Sequence, residues 1–184
     1  VFYSMLIKYR FVDTLVDTLE TRLSALFSPF NIDFRNVVSL SRCLVTLKGC
    51  SISVSCKVLK CWINGWATST RYHENYVLPC LFGCHACSDS MRHYLLCPHL
   101  FALWVFLAGG ASADPLVRWG LIYPTKIDMQ FVSCIFSGYH AIRHDLRGHP
   151  SFFEPDQLVL TPAQLRRAWS VFGDSFKVEA RELS

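Results

Sequence analysis

Residues 80–99 read CLFGCHACSDSMRHYLLCPH. Zinc takes four nitrogen or sulfur ligands at tetrahedral corners, about 2.0–2.3 Å from the metal. Cys84 and Cys87 form a Cys-x2-Cys turn that supplies two thiolates from a tight knuckle. His93 and Cys97 are four apart, so on a helix they project from one face and close the tetrahedron. The expected ligand set is therefore Cys84, Cys87, His93 and Cys97, with Zn2+ as the ion. Cys80 stands in reserve: Cys80 and Cys84, with Gly83 allowing the bend, can replace the Cys84–Cys87 pair. His73, His85 and His99 are further substitutes. Four filled positions leave none for water, which makes the site structural rather than catalytic. The plainer alternative is a group of free core cysteines that happen to cluster.

Working outward, residues 66–90 lose helical periodicity and gain turn formers, among them Pro79, Gly83, Ser88, Asp89 and Ser90. Upstream, Phe11, Val12, Leu15, Val16, Leu19, Leu23, Leu26 and Phe27 recur at three- and four-residue spacing, which predicts an amphipathic helix stopped by Pro29. A second helix is expected from Val37 to Leu47, closed by Gly49. A third starts near Ser53 and turns Val54, Val58, Cys61 and Trp62 inward before Gly65. Downstream, a helix from Met91 to Leu107 carries His93 and Cys97, with Pro98 kinking it or marking a new start. Gly109 to Ser112 reads as a connection. Thr125 and Asp128 make a capping-box-like start to a long helix ending near Gly148. After a loop over 148–157, Thr161, Pro162 and Gln164 open a last helix through Trp169. The expectation is an all-α chain with one small zinc-knuckle loop. It divides into a helical segment (1–65), the zinc-knuckle region with its following helix (66–108) and a C-terminal helical segment (109–184).

At 184 residues the chain is long enough for one domain with a real core. Apolar residues form 52% of it and charged residues 17%, which excludes disorder over most of its length. The net charge of +4 is compatible with a polyanionic partner without demanding one. The chain begins with Val1 and is read as a fragment or processed piece, with no secretory leader. The apolar run from Leu100 to Ala111 is too short for a membrane span. Nine cysteines, an odd number, with five between Cys61 and Cys97, fit free thiols plus one metal cluster better than a disulfide framework. The expected location is intracellular, in cytoplasm or nucleus.

Other candidates are weaker. His140 and His144 share a helix spacing but have no H-E-x-x-H acid, and solvated or core histidines are the favoured reading. Arg71, Arg92, Arg143, Arg147, Arg166 and Arg167 are read as surface arginines, with phosphate contact as their sharper use. No glycine-rich phosphate loop, no G-x-S-x-G elbow and no adjacent aspartates occur. Nothing singles out a nucleophilic cysteine.

Residues 59–73, LKCWINGWATSTRYH, lead into the cysteine cluster and then to Leu100–Trp104. Together they resemble the zinc-binding region downstream of the polymerase in non-LTR retrotransposon reverse transcriptases. Trp66, Thr68, Ser69 and Arg71 match that family's W-x-T-S-x-R lead, Cys84 and Cys87 its first knuckle, His93 and Cys97 its second, and Trp104 its close. The gap between Cys87 and His93 is shorter than in the family, and Cys80 is additional. The resemblance implies a non-catalytic tail that holds template RNA or target DNA, the polymerase aspartates lying elsewhere. Arg71, Tyr72 and Arg92 are then the expected nucleic-acid contacts, Tyr72 by stacking on bases. RNA or DNA is the expected partner, with no membrane and no small-molecule substrate. The alternatives are a zinc-stabilised protein–protein interaction module and a decayed retroelement fragment without function.

Overall fold

The computed structural model describes residues 10–30, 32, 34, 38–75, 77–84, 87–108 and 114–147, with the backbone alone at 10–13, 107 and 108. Among these the chain is mostly helical and has no strand; one isolated antiparallel bridge joins Pro79 and Ser88. The expected connection at 109–112, the loop over 148–157 and the last helix lie outside the described residues, as do His85, His149, Arg166, Arg167 and Val37.

Helix α1 spans Arg10–Phe27 and buries Leu19, Leu23, Leu26 and Phe27, one stripe at helical spacing. Pro29 follows in a 3-10 turn, Ser28–Phe30. Helix α2, Leu40–Lys48, buries Leu40, Cys43 and Leu47 and is closed by Gly49. Helix α3, Ile52–Trp62, starts a residue earlier than the pattern suggested, because the Ser51 hydroxyl accepts the Val54 N–H. Val54, Val58, Cys61 and Trp62 face inward, as their spacing predicts. Past α3, a Cβ at Gly65 would stand 2.7 Å from the Lys60 carbonyl oxygen, so only glycine fits where the chain doubles back.

Pro98 does not kink a single helix but separates two: α4 (Met91–Leu96) and α5 (Pro98–Ala108). Between them Cys97 takes φ −55°, ψ 121°, out of the helical region, as steric conflict with a following proline demands. A short helix that periodicity did not suggest, α6 (Pro115–Arg118), starts where the Asp114 carboxylate accepts the Leu116 N–H and proline occupies the first turn. Helix α7, Lys126–Arg147, opens on a reciprocal cap: Asp128 Oδ2 accepts from the Thr125 N–H and hydroxyl, and Thr125 Oγ1 accepts from the Asp128 N–H.

Helix α3 makes its most extensive pairing with α7, which also meets α2, α5 and α6. The indole N–H of Trp62 donates to the Trp119 carbonyl at 3.1 Å. Trp66 lies at the centre, its ring 4.6 Å from Tyr139, 5.1 Å from Tyr94, 5.9 Å from Trp119 and 6.2 Å from Phe136. One hydrophobic cluster therefore runs through residues from all three segments of the sequence, and the cysteine loop is packed onto it. Among the described residues, no helix is long and apolar enough to cross a membrane.

Candidate metal centre

The loop between Leu78 and Asp89 is closed by backbone bonds at its base. The Asp89 N–H donates to the Leu78 carbonyl at 2.7 Å, and the Cys80 N–H donates to the Cys87 carbonyl at 2.8 Å. Gly83 adopts φ 80°, a left-handed conformation that lets the chain turn back so that Cys84 faces Cys80. Ser90 caps α4 by accepting the His93 N–H at 3.2 Å, which fixes where the His93 ring emerges. His99 donates Nδ1–H to the Phe82 carbonyl at 2.9 Å, tying α5 to the turn.

These constraints bring the donor atoms of Cys80, Cys84, His93 and Cys97 within 4.8 Å of one another, a group able to hold a metal ion. Cys84 Sγ is 3.1 Å from His93 Nε2, and Cys80 Sγ is 3.8 Å from Cys97 Sγ, far outside disulfide length. Of the expected residues, Cys84, His93 and Cys97 come together with the reserve Cys80, and Cys87 lies outside the group. Both spacings suit a knuckle, but the loop buries the Cys80 thiol and leaves that of Cys87 exposed. Cys87 serves through its carbonyl instead. His73 is exposed, and His99 is committed to Phe82; neither joins the group. The pairing of His93 with Cys97 also differs from a continuous helix face, since Cys97 sits just past the end of α4.

The Cys97 thiol is lowered, chiefly by its hydrogen bond with Cys80, against the opposing effect of burial and with help from the Leu100 N–H. Cys80 is correspondingly pushed far up by that same bond and by burial. The shared contact shifts the two thiols in opposite directions, Cys97 down and Cys80 up. Arg118, buried, sets a positive charge near Cys97; its guanidinium donates to the Leu95 carbonyl at 2.7 Å and lies 5.3 Å from the Phe101 ring centroid.

A second polar group, absent from the sequence reading, anchors the loop. Asp89 is 0% exposed. Its carboxylate accepts from the Ser69 N–H at 2.8 Å and the Tyr94 hydroxyl at 2.6 Å, with Tyr139 Oη at 3.3 Å and Arg143 Nη1 at 3.8 Å. Burial pushes its carboxyl up, opposed by these donors and by Arg143. Arg143, expected at the surface, is instead 2% exposed and also pairs with Glu74. The signal was available: Tyr139, Ile142, Arg143 and Leu146 form one buried helical face of α7. Ser69 and Thr68 of the W-x-T-S-x-R stretch are buried as well, so that stretch joins the loop to the core.

Arg71, Tyr72 and Arg92 all lie among the described residues. Arg71 and Arg92 line one open cavity of about 340 Å³, and the Arg71 guanidinium lies 5.7 Å from the centroid of Tyr72, which is 56% exposed. His140 and His144 form no metal group with other residues among those described: His140 packs 4.2 Å from the Phe136 ring and His144 is exposed. Compared with known protein families, curated proteins and solved structures, the chain matches none.

Proposed function

We propose that this chain is a non-catalytic nucleic-acid-binding module whose loop is pinned by a structural zinc ion, as in the tail of a retroelement reverse transcriptase. Three thiols and one imidazole are a donor set of structural zinc sites. Thiolates bound to a tetrahedral zinc stand about 3.8 Å apart, the separation already held by Cys80 and Cys97. With all four positions filled by protein, the ion's contribution is to fold the loop rather than to activate water.

The observation that carries the nucleic-acid reading is the convergence of Arg71 and Arg92 on one cavity beside exposed Tyr72. The two arginines flank the metal loop in sequence, so pinning the loop sets their spacing. Guanidinium groups bind phosphate through paired donors, and an exposed tyrosine beside them stacks a base. The test is anisotropy of labelled single-stranded RNA and DNA with the zinc-loaded chain at low salt. Binding that weakens steeply as salt rises is expected; a folded, zinc-loaded sample with no binding at low salt would sink the proposal.

A protein–protein module is the second reading, favoured by exposed Leu96, Val105 and Phe106 on α4 and α5, Phe106 being 82% exposed. Self-association or partner capture that is lost in Phe106→Asp, with no nucleic-acid binding in the parent, would favour it over the first.

A further inference from the structure

The cavity has a third arginine that sequence gave no reason to group with the others. Arg22 comes from α1, Arg71 from the turn after Trp66 and Arg92 from α4, yet all three line the same space, and among the described residues no acidic side chain lines it. Among the described residues none of the three pairs with a carboxylate. Like charges drawn from three separate elements repel, so their convergence costs free energy unless an anion occupies the space between them.

Neutral groups complete the wall. Thr68 is buried and accepts the Arg71 N–H through its hydroxyl oxygen, which leaves the hydroxyl proton to give. Asn64, at φ 57°, and Thr70 and Ser90 line it as well. At about 340 Å³ the cavity lies near the lower end of the range of ligand sites, about 300–1,000 Å³. That is room for a phosphate and its sugar rather than a length of strand.

We infer that this cavity is a phosphate pocket that seats one sugar-phosphate unit of a nucleic-acid strand, with Arg22, Arg71 and Arg92 as its cationic ligands. The inference rests on the nucleic-acid reading for the source of the phosphate, but the pocket's affinity for the anion does not. Arg22 is the discriminating residue because it lies outside the metal loop and its flanks.

The experiment compares the zinc-loaded parent with Arg22→Gln, Arg92→Gln and, as a control for lost charge, Arg42→Gln, an exposed α2 position outside the cavity. All three arginines changed are exposed, and zinc content and circular dichroism confirm folding in each variant. Binding of a labelled single-stranded oligonucleotide is read by anisotropy, and binding of inorganic phosphate by amide chemical-shift titration. Arg22→Gln and Arg92→Gln each weaken both ligands by roughly tenfold or more, the scale of a lost charge-assisted contact, while Arg42→Gln changes phosphate binding little. If Arg22→Gln equals Arg42→Gln for both ligands, the pocket is overturned and oligonucleotide binding through Arg71 and Arg92 stands alone. If the parent binds phosphate in an Arg22-dependent way but no oligonucleotide, the pocket survives and the nucleic-acid reading falls. If it binds neither, both fall.

Discussion

Asp89 takes its partners from Ser69, Tyr94, Tyr139 and Arg143, so one carboxylate ties the loop, α4 and α7 together. Removing the carboxylate leaves the buried Ser69 N–H and Tyr94 hydroxyl without their acceptor, while Arg143 keeps Glu74. Asp89→Ala is therefore expected to destabilise by about 2–5 kcal/mol in urea unfolding, the cost of two orphaned buried donors; a loss no larger than that of a surface substitution would show that the network is not coupled. At the cluster, Cys80→Ser should abolish zinc binding while Cys87→Ser keeps one zinc per chain, measured on protein purified without added metal. The reverse result would restore the Cys-x2-Cys pair. His140 is held below its ordinary 6.5, first by burial and then by Lys60, Arg147 and Arg143. Its folded form binds fewer protons than the unfolded chain, so its contribution is complete above 6.5 and is lost as pH falls from there through the folded value. His140→Phe keeps an aromatic ring against Phe136 and removes the titration. Its melting temperature should fall less than the parent's between pH 7 and 5.5; parallel curves would assign the pH dependence elsewhere.

Helix ends carry the next level of specificity. Thr125 and Asp128 each satisfy an amide of the other at the start of α7, the helix that packs on α2, α3, α5 and α6. Thr125→Ala should cost about 1 kcal/mol, read as a lower urea midpoint with an unchanged slope; a changed slope would mean that more than the cap had been lost. This cap was legible in the sequence because its chemistry needs only residues three apart. The separation of α4 from α5 was legible only in part. Pro98 announced a disturbance and holds Cys97 out of the helical region, but the approach of that thiol to Cys80 is set by the fold. The start of α6 at Asp114-Pro115 carries an N-cap and N1 signal too, though four residues are too few for periodicity to register.

Across the whole molecule, the loop has two independent attachments: the cysteine–histidine group and the Asp89 network beneath it. Chelation should therefore raise amide exchange across 80–84 and 93–97 while the pairing of α3 with α7 keeps its protection. Hydrogen exchange with mass spectrometry checks this. Global loss of protection on chelation would mean that the metal, rather than the core around Trp66, holds the helices together.

The sequence by itself determined the helical class, the buried stripes of α1 and α3, the caps of α7 and the neighbourhood of the metal group. Each is a local property, written in three- and four-residue spacing or in the donor chemistry of side chains a few residues apart. Tertiary structure alone decided that Cys80 and not Cys87 joins Cys84, His93 and Cys97, since two thiols at knuckle spacing are equivalent until one is buried. It alone drew Arg143 inside to meet Asp89 and brought Arg22 to Arg71 and Arg92, because the environment of a charge is set by elements distant in the chain that fold over it.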